Sequence, residues 1–552
     1  MKACIVSLNA KYVHLAPTPY ALGAGVLSYA KERHEVRIVD AVAGRDEKGV
    51  IEAVVAQAPA LVGFCTYIWN IDAILRLLPL LKRRLPNTLF LLGGPEVSYR
   101  VREVLAMAPI VDFVLSGEGE MPFAALLDAL ALGTPLSAVP GCGFRREDGT
   151  PHIPTPYVGE GTPPSPLDFG YAEALSGRIA YLEASRGCPF SCAFCLSGRA
   201  GSVRYFDMER VKRDILLLAG SGSRTVKLVD RTFNASADRA NEIIRFILAH
   251  HGKAIPHGVC FHFEIAGELL TEQTLALLSS APAGLFQLEI GIQSFCAEAL
   301  RAIHRPPLTT RLTESVRRLV AMGNVHIHID LIAGLPNEDL PTFRAGFDRA
   351  FALGAHMLQL GFLKLLYGAP MREAPEKYPC DFSTRPPYQV TQTPHLSAAD
   401  FADIALCEEG CERLYNSGKY RKTVKEALLF WDSPYDFFRD AGKALFALPK
   451  RYTLDDEVAC LLSFLAARLS PARARDLLLW DILAHNPSCY IPTALRREDS
   501  ALRTRRREID ATHPKREGVR RAYGILYTES AFLWVDYDAP DPITGDYRVF
   551  RA

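Results

Sequence analysis

Three cysteines stand close together in the segment RGCPFSCAFCLSG: Cys188, Cys192 and Cys195, spaced C-x3-C-x2-C. Thiolates are soft donors that select zinc, copper(I) or iron–sulfur centres. A structural zinc site takes four protein ligands in two separated pairs. No second close pair of Cys or His follows here in the way a zinc ribbon needs. Three thiolates suit a [4Fe-4S] cluster in which three irons are held and the fourth keeps an open position. Ferredoxin runs differ, because they supply a fourth Cys. Cys188, Cys192 and Cys195 are therefore the expected metal ligands. The bland reading, three loop thiols without metal, sits poorly with their density and with the neighbouring Gly187 and Pro189.

The strands that follow carry a second set of reactive side chains. In HGVCFHFEIA, Phe261, Phe263 and Ile265 alternate with His262 and Glu264. In LFQLEIGIQS, Leu288, Ile290 and Ile292 alternate with Gln287, Glu289 and Gln293, and in VHIHIDLIAGLP, Val325, Ile327 and Ile329 alternate with His326, His328 and Asp330. Successive side chains of a strand point to opposite faces, so these strands share a polar face. An antiparallel sheet with one wet face would alternate in the same way. Helical segments such as ADRANEIIRFILAH and LPTFRAGFDRAFALG follow the strands instead, which implies parallel crossovers. The polar face then looks into a barrel or half-barrel holding water and a polar ligand, unlike the apolar interior of a packed barrel. His262, Glu264, His326, His328 and Asp330 are candidates for substrate contact or proton removal.

Residues 1–135 alternate apolar runs (ACIVSL, HEVRIVD, LVGFCTY, LFLLGGP, FVLSGEG) with helical patterns. Five strand–helix units imply a doubly wound parallel sheet covered on both faces. Ligands of such sheets sit beyond the carboxyl ends of the strands. Residues 151–177 are rich in proline and read as a connector. The expected domains are 1–140, a linker 141–177, a barrel-like core 178–383 and a mainly helical region 384–552 that ends in a small hairpin or sheet. The overall class is α/β.

Composition sets the outer limits. The chain has 552 residues with 63 Lys+Arg against 62 Asp+Glu, a net charge of +1. This balance argues against a general nucleic-acid binder. The locally basic stretch from Arg496 to Arg521 contains acids and no interleaved aromatics, so a solvated face is favoured. No apolar run reaches the length of a membrane span, and the start shows no signal peptide, so a cytoplasmic location is expected. Thirteen Cys in such a chain suggest free thiols and a metal site rather than a disulfide framework.

The segment from about 175 to 370 resembles the radical S-adenosylmethionine (SAM) enzymes, whose pattern is C-x3-C-x-aromatic-C, with Phe194 in the aromatic place. The resemblance implies a partial barrel of six parallel strands, near 179, 226, 258, 285, 325 and 357. It implies that SAM chelates the open iron and is cleaved to a 5′-deoxyadenosyl radical. KLVDRTFN resembles the family's second-strand segment, which makes Asp230 and Asn234 candidates near the cofactor. LEIGIQS resembles the stretch beside the methionyl and ribose parts, which makes Glu289 and Gln293 candidates. DLIAGLPNE resembles the loop that lies against adenine.

A five-unit α/β domain directly before this core resembles a cobalamin-binding domain. The resemblance places Gly93, Gly94, Pro95 and Glu96 (LLGGPEVS) and Gly117, Glu118 and Gly119 (LSGEGE) beside the cofactor. One large cobalamin class carries D-x-H-x-x-G; this chain lacks it, and His14 is the only histidine in its first loop, so no protein histidine is expected on cobalt. The rival reading, a second cluster on Cys4, Cys65 and Cys142 as in methylthiotransferases, conflicts with the place of Cys4 and Cys65 inside apolar strands. Cys407 and Cys411 read as packing residues. Together the resemblances imply a cobalamin-dependent radical SAM methyltransferase that moves a methyl group from methylcobalamin to a radical-activated carbon. The enzymatic alternative is a radical cyclase or rearrangement enzyme; a cobalamin- or cluster-sensing regulatory protein is the alternative of another class. The implied partners are a small-molecule or peptide substrate and an external electron donor of the flavodoxin or ferredoxin type.

Overall fold

A computed structural model of the chain describes residues 1–307, 310–497, 500–529 and 531–552. Two compact units are present: residues 1–277, 303–305 and 363–390 form the first, and 278–302, 306–362 and 391–552 the second. The division falls inside the segment 178–383 that was expected to be one core.

The first unit begins with strands β1 (Lys2–Asn9), β2 (Glu35–Val42), β3 (Leu61–Cys65), β4 (Leu89–Gly93), β5 (Phe113–Leu115), β6 (Cys142–Arg145) and β7 (Pro151–His152). They lie in the order β2-β1-β3-β4-β5-β6-β7. β1 to β5 run parallel, and β6 and β7 are antiparallel additions at one edge. β3 is buried at all five positions, as its unbroken apolar run requires. Its residues feed two cores on opposite faces: Val62 and Phe64 join Cys4, Val6 and Leu92, and Leu61 and Cys65 join Ile5, Leu91 and Cys142. Chain order reverses between β1 and β3, and the crevice outside their carboxyl ends is the favoured ligand position. The expected linker needs correction, since residues 142–152 belong to this sheet. Proline is tolerated there because β7 is a short edge strand.

The unit continues with β8 (Ala180–Leu182), β9 (Ser185–Gly187), β10 (Val203–Tyr205), β11 (Thr225–Leu228) and β12 (Cys260–Ile265). β8, β11 and β12 are parallel neighbours, whereas β9 and β10 make a separate antiparallel pair. The segment RIAYLEASRG is thus divided between two strands. It breaks after Leu182 because the buried Asp230 carboxylate takes the Ala184 N–H (2.9 Å) and the Ser185 hydroxyl, turning the chain toward the cysteine loop.

The second unit holds the parallel strands β13 (Phe286–Gln293), β14 (His326–Ala333) and β15 (Met357–Phe362). Burial along β13 alternates at every residue, as its sequence predicts. The six expected barrel strands all form, three in each unit. Beyond them, helices Ala398–Cys411, Pro434–Phe446, Leu454–Ala466 and Pro471–His485 pack together. Gly410 and Gly442 let the first two of these meet closely, since a Cβ on Gly442 would lie 1.8 Å from the Leu406 carbonyl. Cys407 and Cys411 are buried in this packing. Three antiparallel strands, Arg521–Ile525, Phe532–Asp536 and Val549–Arg551, close the chain. In the basic stretch, residues 498–499 lie outside the described ones, while Arg503, Arg506 and Arg507 are exposed along the helix Ser500–Thr512. Among the described residues, no helix is long and apolar enough to cross a membrane.

Candidate functional site

A cavity of about 800 Å³ opens in the first unit at the carboxyl ends of β1, β3, β4 and β5. That volume is at the upper end of the range for small-molecule and cofactor sites. Ile5, Gly63, Leu91, Leu115 and Phe123 line its apolar part, and Gly93, Gly94, Pro95, Gly117, Glu118 and Gly119 line its rim. Tyr157, Pro163 and Pro164 of the connector complete one wall. Tyr181, Glu183, Arg186, Leu196, Val229 and Arg231, from the segments around β8 to β11, complete another.

The rim glycines divide by role. Gly93 has space, since a Cβ there would lie 3.7 Å from Leu115. Gly94 (φ +116°) and Gly117 (φ +91°) are needed for close backbone packing: a Cβ would stand 2.5 Å from the Thr66 carbonyl and 2.2 Å from the Tyr157 carbonyl, respectively. Glu96 is not in the cavity wall. It is buried, pairs with Arg100 at 2.5 Å and accepts from the Tyr388 hydroxyl; burial pushes its carboxyl up from the usual value. His14 does reach the cavity, with Nδ1 2.6 Å from the Tyr181 hydroxyl. Burial, aided by Lys11 and Lys227, lowers its pKa.

The three cysteines lie on the loop joining β9 to β10. Cys188 and Cys192 are buried, Cys195 is half-buried, and all three are free thiols. Backbone bonds pin the loop from two sides, Ala193 N to the Ile303 carbonyl and Met371 N to the Ala193 carbonyl, each 3.0 Å. Cys188 Sγ is 3.4 Å from Thr232 Oγ1, and Arg305 donates to Cys192 Sγ at 3.9 Å. Burial raises the Cys192 thiol pKa, and Arg305 pulls it back. Three unpaired sulfurs on one anchored loop, with a guanidinium beside one of them, form a donor set suited to an iron–sulfur cluster. Phe194, in the same loop, is half-buried.

Asp230 and Asn234, expected at the cofactor, turn their polar atoms into the protein. Asp230 holds the β8–β9 turn, and burial pushes its carboxyl up to about 7 against bonds from Ser185 and Ala184. Asn234 bonds both the N–H and the carbonyl of Ala266 at 2.9 Å, clamping the ends of β11 and β12. His262 is buried, and Glu264 faces Lys227 at 3.4 Å and Arg231 at 3.9 Å.

In the second unit, Glu289, His328 and Asp330 come together. His328 Nε2 is 3.0 Å from Asp330 Oδ1, and Nδ1 is 4.0 Å from Glu289 Oε2. Register explains this, because Glu289 and His328 are opposite each other on β13 and β14, and Asp330 follows two positions along on the same face. Gln293 ends β13 at a register shift with φ +69°, an uncommon conformation for a residue with a side chain. His326 stacks against His356 at 5.1 Å instead of joining the cluster.

Sequence reasoning missed the most heavily bonded residue of the site. Arg186 donates to Glu118, Glu120 and Glu183, and Arg204 also donates to Glu118. Burial opposes the Glu120 charge, but Arg186 outweighs it and holds that carboxyl below its usual value. The available signal was a lone Arg two residues before Cys188. Gly63, inside an otherwise bulky strand, was another. Cys4, Cys65 and Cys142 do not form a second cluster: Cys4 belongs to the core on one face of the sheet, and Cys65 and Cys142 to that on the other. Burial pushes all three thiols up to about 12.

Comparison with known proteins agrees with this layout. Residues 14–127 match the B12 binding domain, residues 182–346 the radical SAM superfamily, and residues 376–522 a protein family of unknown function (DUF4080). The cobalamin-dependent radical SAM methyltransferase TokK of Streptomyces tokunonensis is 29% identical over 337 residues, 58% of this chain and 49% of that one. This chain therefore spans about half the length of that relative. An anaerobic magnesium-protoporphyrin IX monomethyl ester cyclase of Synechocystis is 30% identical over 203 residues, covering 34% of this chain and 39% of that one. Among solved structures, the cobalamin-dependent SAM radical enzyme OxsB, with aqua-cobalamin and SAM bound, superposes with TM-score 0.60 at 14% identity, over 93% of this chain and 80% of that one. The fold is that of the cobalamin-dependent radical SAM enzymes.

Proposed function

We propose that this chain, in which a B12 binding domain precedes a radical SAM core, is a cobalamin-dependent radical SAM methyltransferase. One observation carries the reading: the cavity at the carboxyl ends of the amino-terminal sheet is walled on another side by residues that flank the three-thiol loop. Two cofactors that must act on one substrate need that proximity.

Cys188, Cys192 and Cys195 would hold the [4Fe-4S] cluster, and the cavity lined by Gly63, Gly93 and Leu115 would hold cobalamin. When bound, these groups and SAM supply a carbon-activating radical and a transferable methyl group. The chain's own residues do the positioning. Asp230 fixes the turn that leads into the cysteine loop, and Thr232 and Arg305 approach the sulfurs. In the first unit, Lys227, Arg231, His262 and Glu264 would face substrate. An external one-electron donor of the flavodoxin or ferredoxin type would supply the electron. The substrate is a small molecule or a peptide.

The test is anaerobic purification with cobalamin, counts of iron, sulfide and cobalt, and product analysis with candidate substrates. Methyl transfer gives S-adenosylhomocysteine and 5′-deoxyadenosine in substrate-dependent amounts. The likeness to the cyclase over 203 residues supports a second reading, radical cyclisation, for which 5′-deoxyadenosine appears without S-adenosylhomocysteine. A protein that yields neither product is a sensor, and the enzymatic reading falls.

A further inference from the structure

Arg186 lies on β9, two residues before the first cluster cysteine. Its five N–H donors are all engaged. Nε and one Nη2 hydrogen go to Glu183 at 2.8 Å, and Nη2 also reaches Glu120 at 2.6 Å. Nη1 reaches Glu118 at 2.5 Å and Glu120 at 3.3 Å. Arg204, directly opposite Arg186 in the β9–β10 pair, binds Glu118 at 2.6 Å. Glu118 and Glu120 stand at the end of β5, so the node ties that loop to both strands that flank the cysteine loop. Only a guanidinium offers this fork; an ammonium has three donors and no fixed plane.

The node also carries charge. Three carboxylates meet two guanidiniums, leaving one negative charge, and Glu118, Glu120, Glu183 and Arg186 all line the cavity. The other acid in the wall, Asp214, is neutralised separately by Arg210 at 2.7 Å and Arg213 at 2.8 Å. Arg231, also in the wall, shares the Glu264 carboxylate (3.9 Å) with Lys227 (3.4 Å), so the negative excess is local to the Arg186 node. A fixed negative charge beside a metal favours its higher oxidation state, and the part-buried setting of the node limits its screening by water.

We infer that Arg186 and its three carboxylates form a positioning device that fastens the cobalamin loop to the cluster loop and lowers the cobalt(II)/cobalt(I) potential of the cofactor in the cavity. The inference rests on the reading of that cavity as a cobalamin site. The couple takes up one electron and no proton, so the effect of the node is electrostatic.

The experiment is a spectroelectrochemical titration of the cobalamin-loaded full chain, with a low-potential chemical donor supplying the electron, on wild type, Glu183→Gln, Arg186→Gln and the double variant. Removing a carboxylate charge should raise the potential, removing the guanidinium charge should lower it, and the double variant should return close to wild type. A purely structural role would shift both single variants in one direction. That result, or an unmoved potential in Glu183→Gln with cobalamin bound, overturns the inference. Should Arg186→Gln fail to fold, the half-exposed Glu183 variant decides alone. If wild type binds no cobalamin, the reading of the cavity itself falls, an outcome separable from the first because cobalt content is counted beforehand.

Discussion

Thr232 Oγ1 lies 3.4 Å from Cys188 Sγ, at the start of the chain that leaves β11. The Thr232 hydroxyl donates to the Arg231 carbonyl at 2.8 Å, and beside a thiolate it can turn to donate to the sulfur instead; hydrogen bonds to cluster sulfurs raise the potential. Thr232→Val should keep full iron and sulfide but lower the cluster potential, measured by redox titration monitored by electron paramagnetic resonance. Cys188→Ala should instead lose most of its iron. Retention of iron by Cys188→Ala would remove the cluster assignment.

Gly93 and Gly94 are neighbours with opposite expectations. A methyl group on Gly93 meets nothing closer than 3.7 Å, whereas on Gly94 it meets the Thr66 carbonyl at 2.5 Å in a left-handed conformation. Gly93→Ala should change stability by less than about 1 kcal/mol, and Gly94→Ala should cost about 2 kcal/mol or more. Denaturant melts of the apoprotein compare them. Gly63→Phe, by contrast, projects a ring into the cavity and should abolish cobalamin retention while leaving the iron count unchanged.

These cases show what could be read from sequence. The cysteine loop was legible because its ligands lie within eight residues, and β13 because a half-buried strand must alternate. The Arg186 node was not, because Glu118 and Arg186 are 68 residues apart and each alone looks like a surface charge. Asp230 was legible as special but not in its role: a strand-end acid facing a cofactor and one fastening a turn have the same sequence. Glu96 follows two rim glycines, yet the chain turns there and its carboxylate meets Arg100 and Tyr388, the latter 292 positions away. The edge strands at 142–152 hid behind proline, because edge positions forgive the missing donor.

His328 stands between Glu289 and Asp330, one ring nitrogen toward each carboxylate. One ring nitrogen of His328 and one oxygen of each carboxylate lie within 4.8 Å of one another, a donor set that could hold a metal ion. His328→Ala should leave the two carboxylates facing each other without the imidazole between them and cost about 1–3 kcal/mol. Denaturant melts of the apoprotein measure it. Stoichiometric zinc or manganese bound by wild type and lost from His328→Ala would identify these residues as a metal site.

Stability should fall as pH rises from about 4 to about 7. Burial pushes Asp230 from 3.8 up to about 7, against bonds from Ser185 and Ala184. Burial also pushes Glu338 from 4.5 up to about 7, against a bond from Ser294. Both folded carboxyls keep protons that the unfolded chain has already lost, so the folded state binds more protons across this window. Their contribution is fully present below the unfolded values and is lost as pH rises through the folded ones, at up to about 1.4 kcal/mol per pH unit for each group. Asp230→Asn removes one of these protons from the balance, to which Asp481, pushed by burial up to about 6, also contributes. Its denaturation free energy, followed from pH 4 to pH 7, should decline less steeply than that of wild type. Parallel profiles would mean that Asp230 is ionised in the folded protein and that the β8–β9 turn is held by a carboxylate charge throughout.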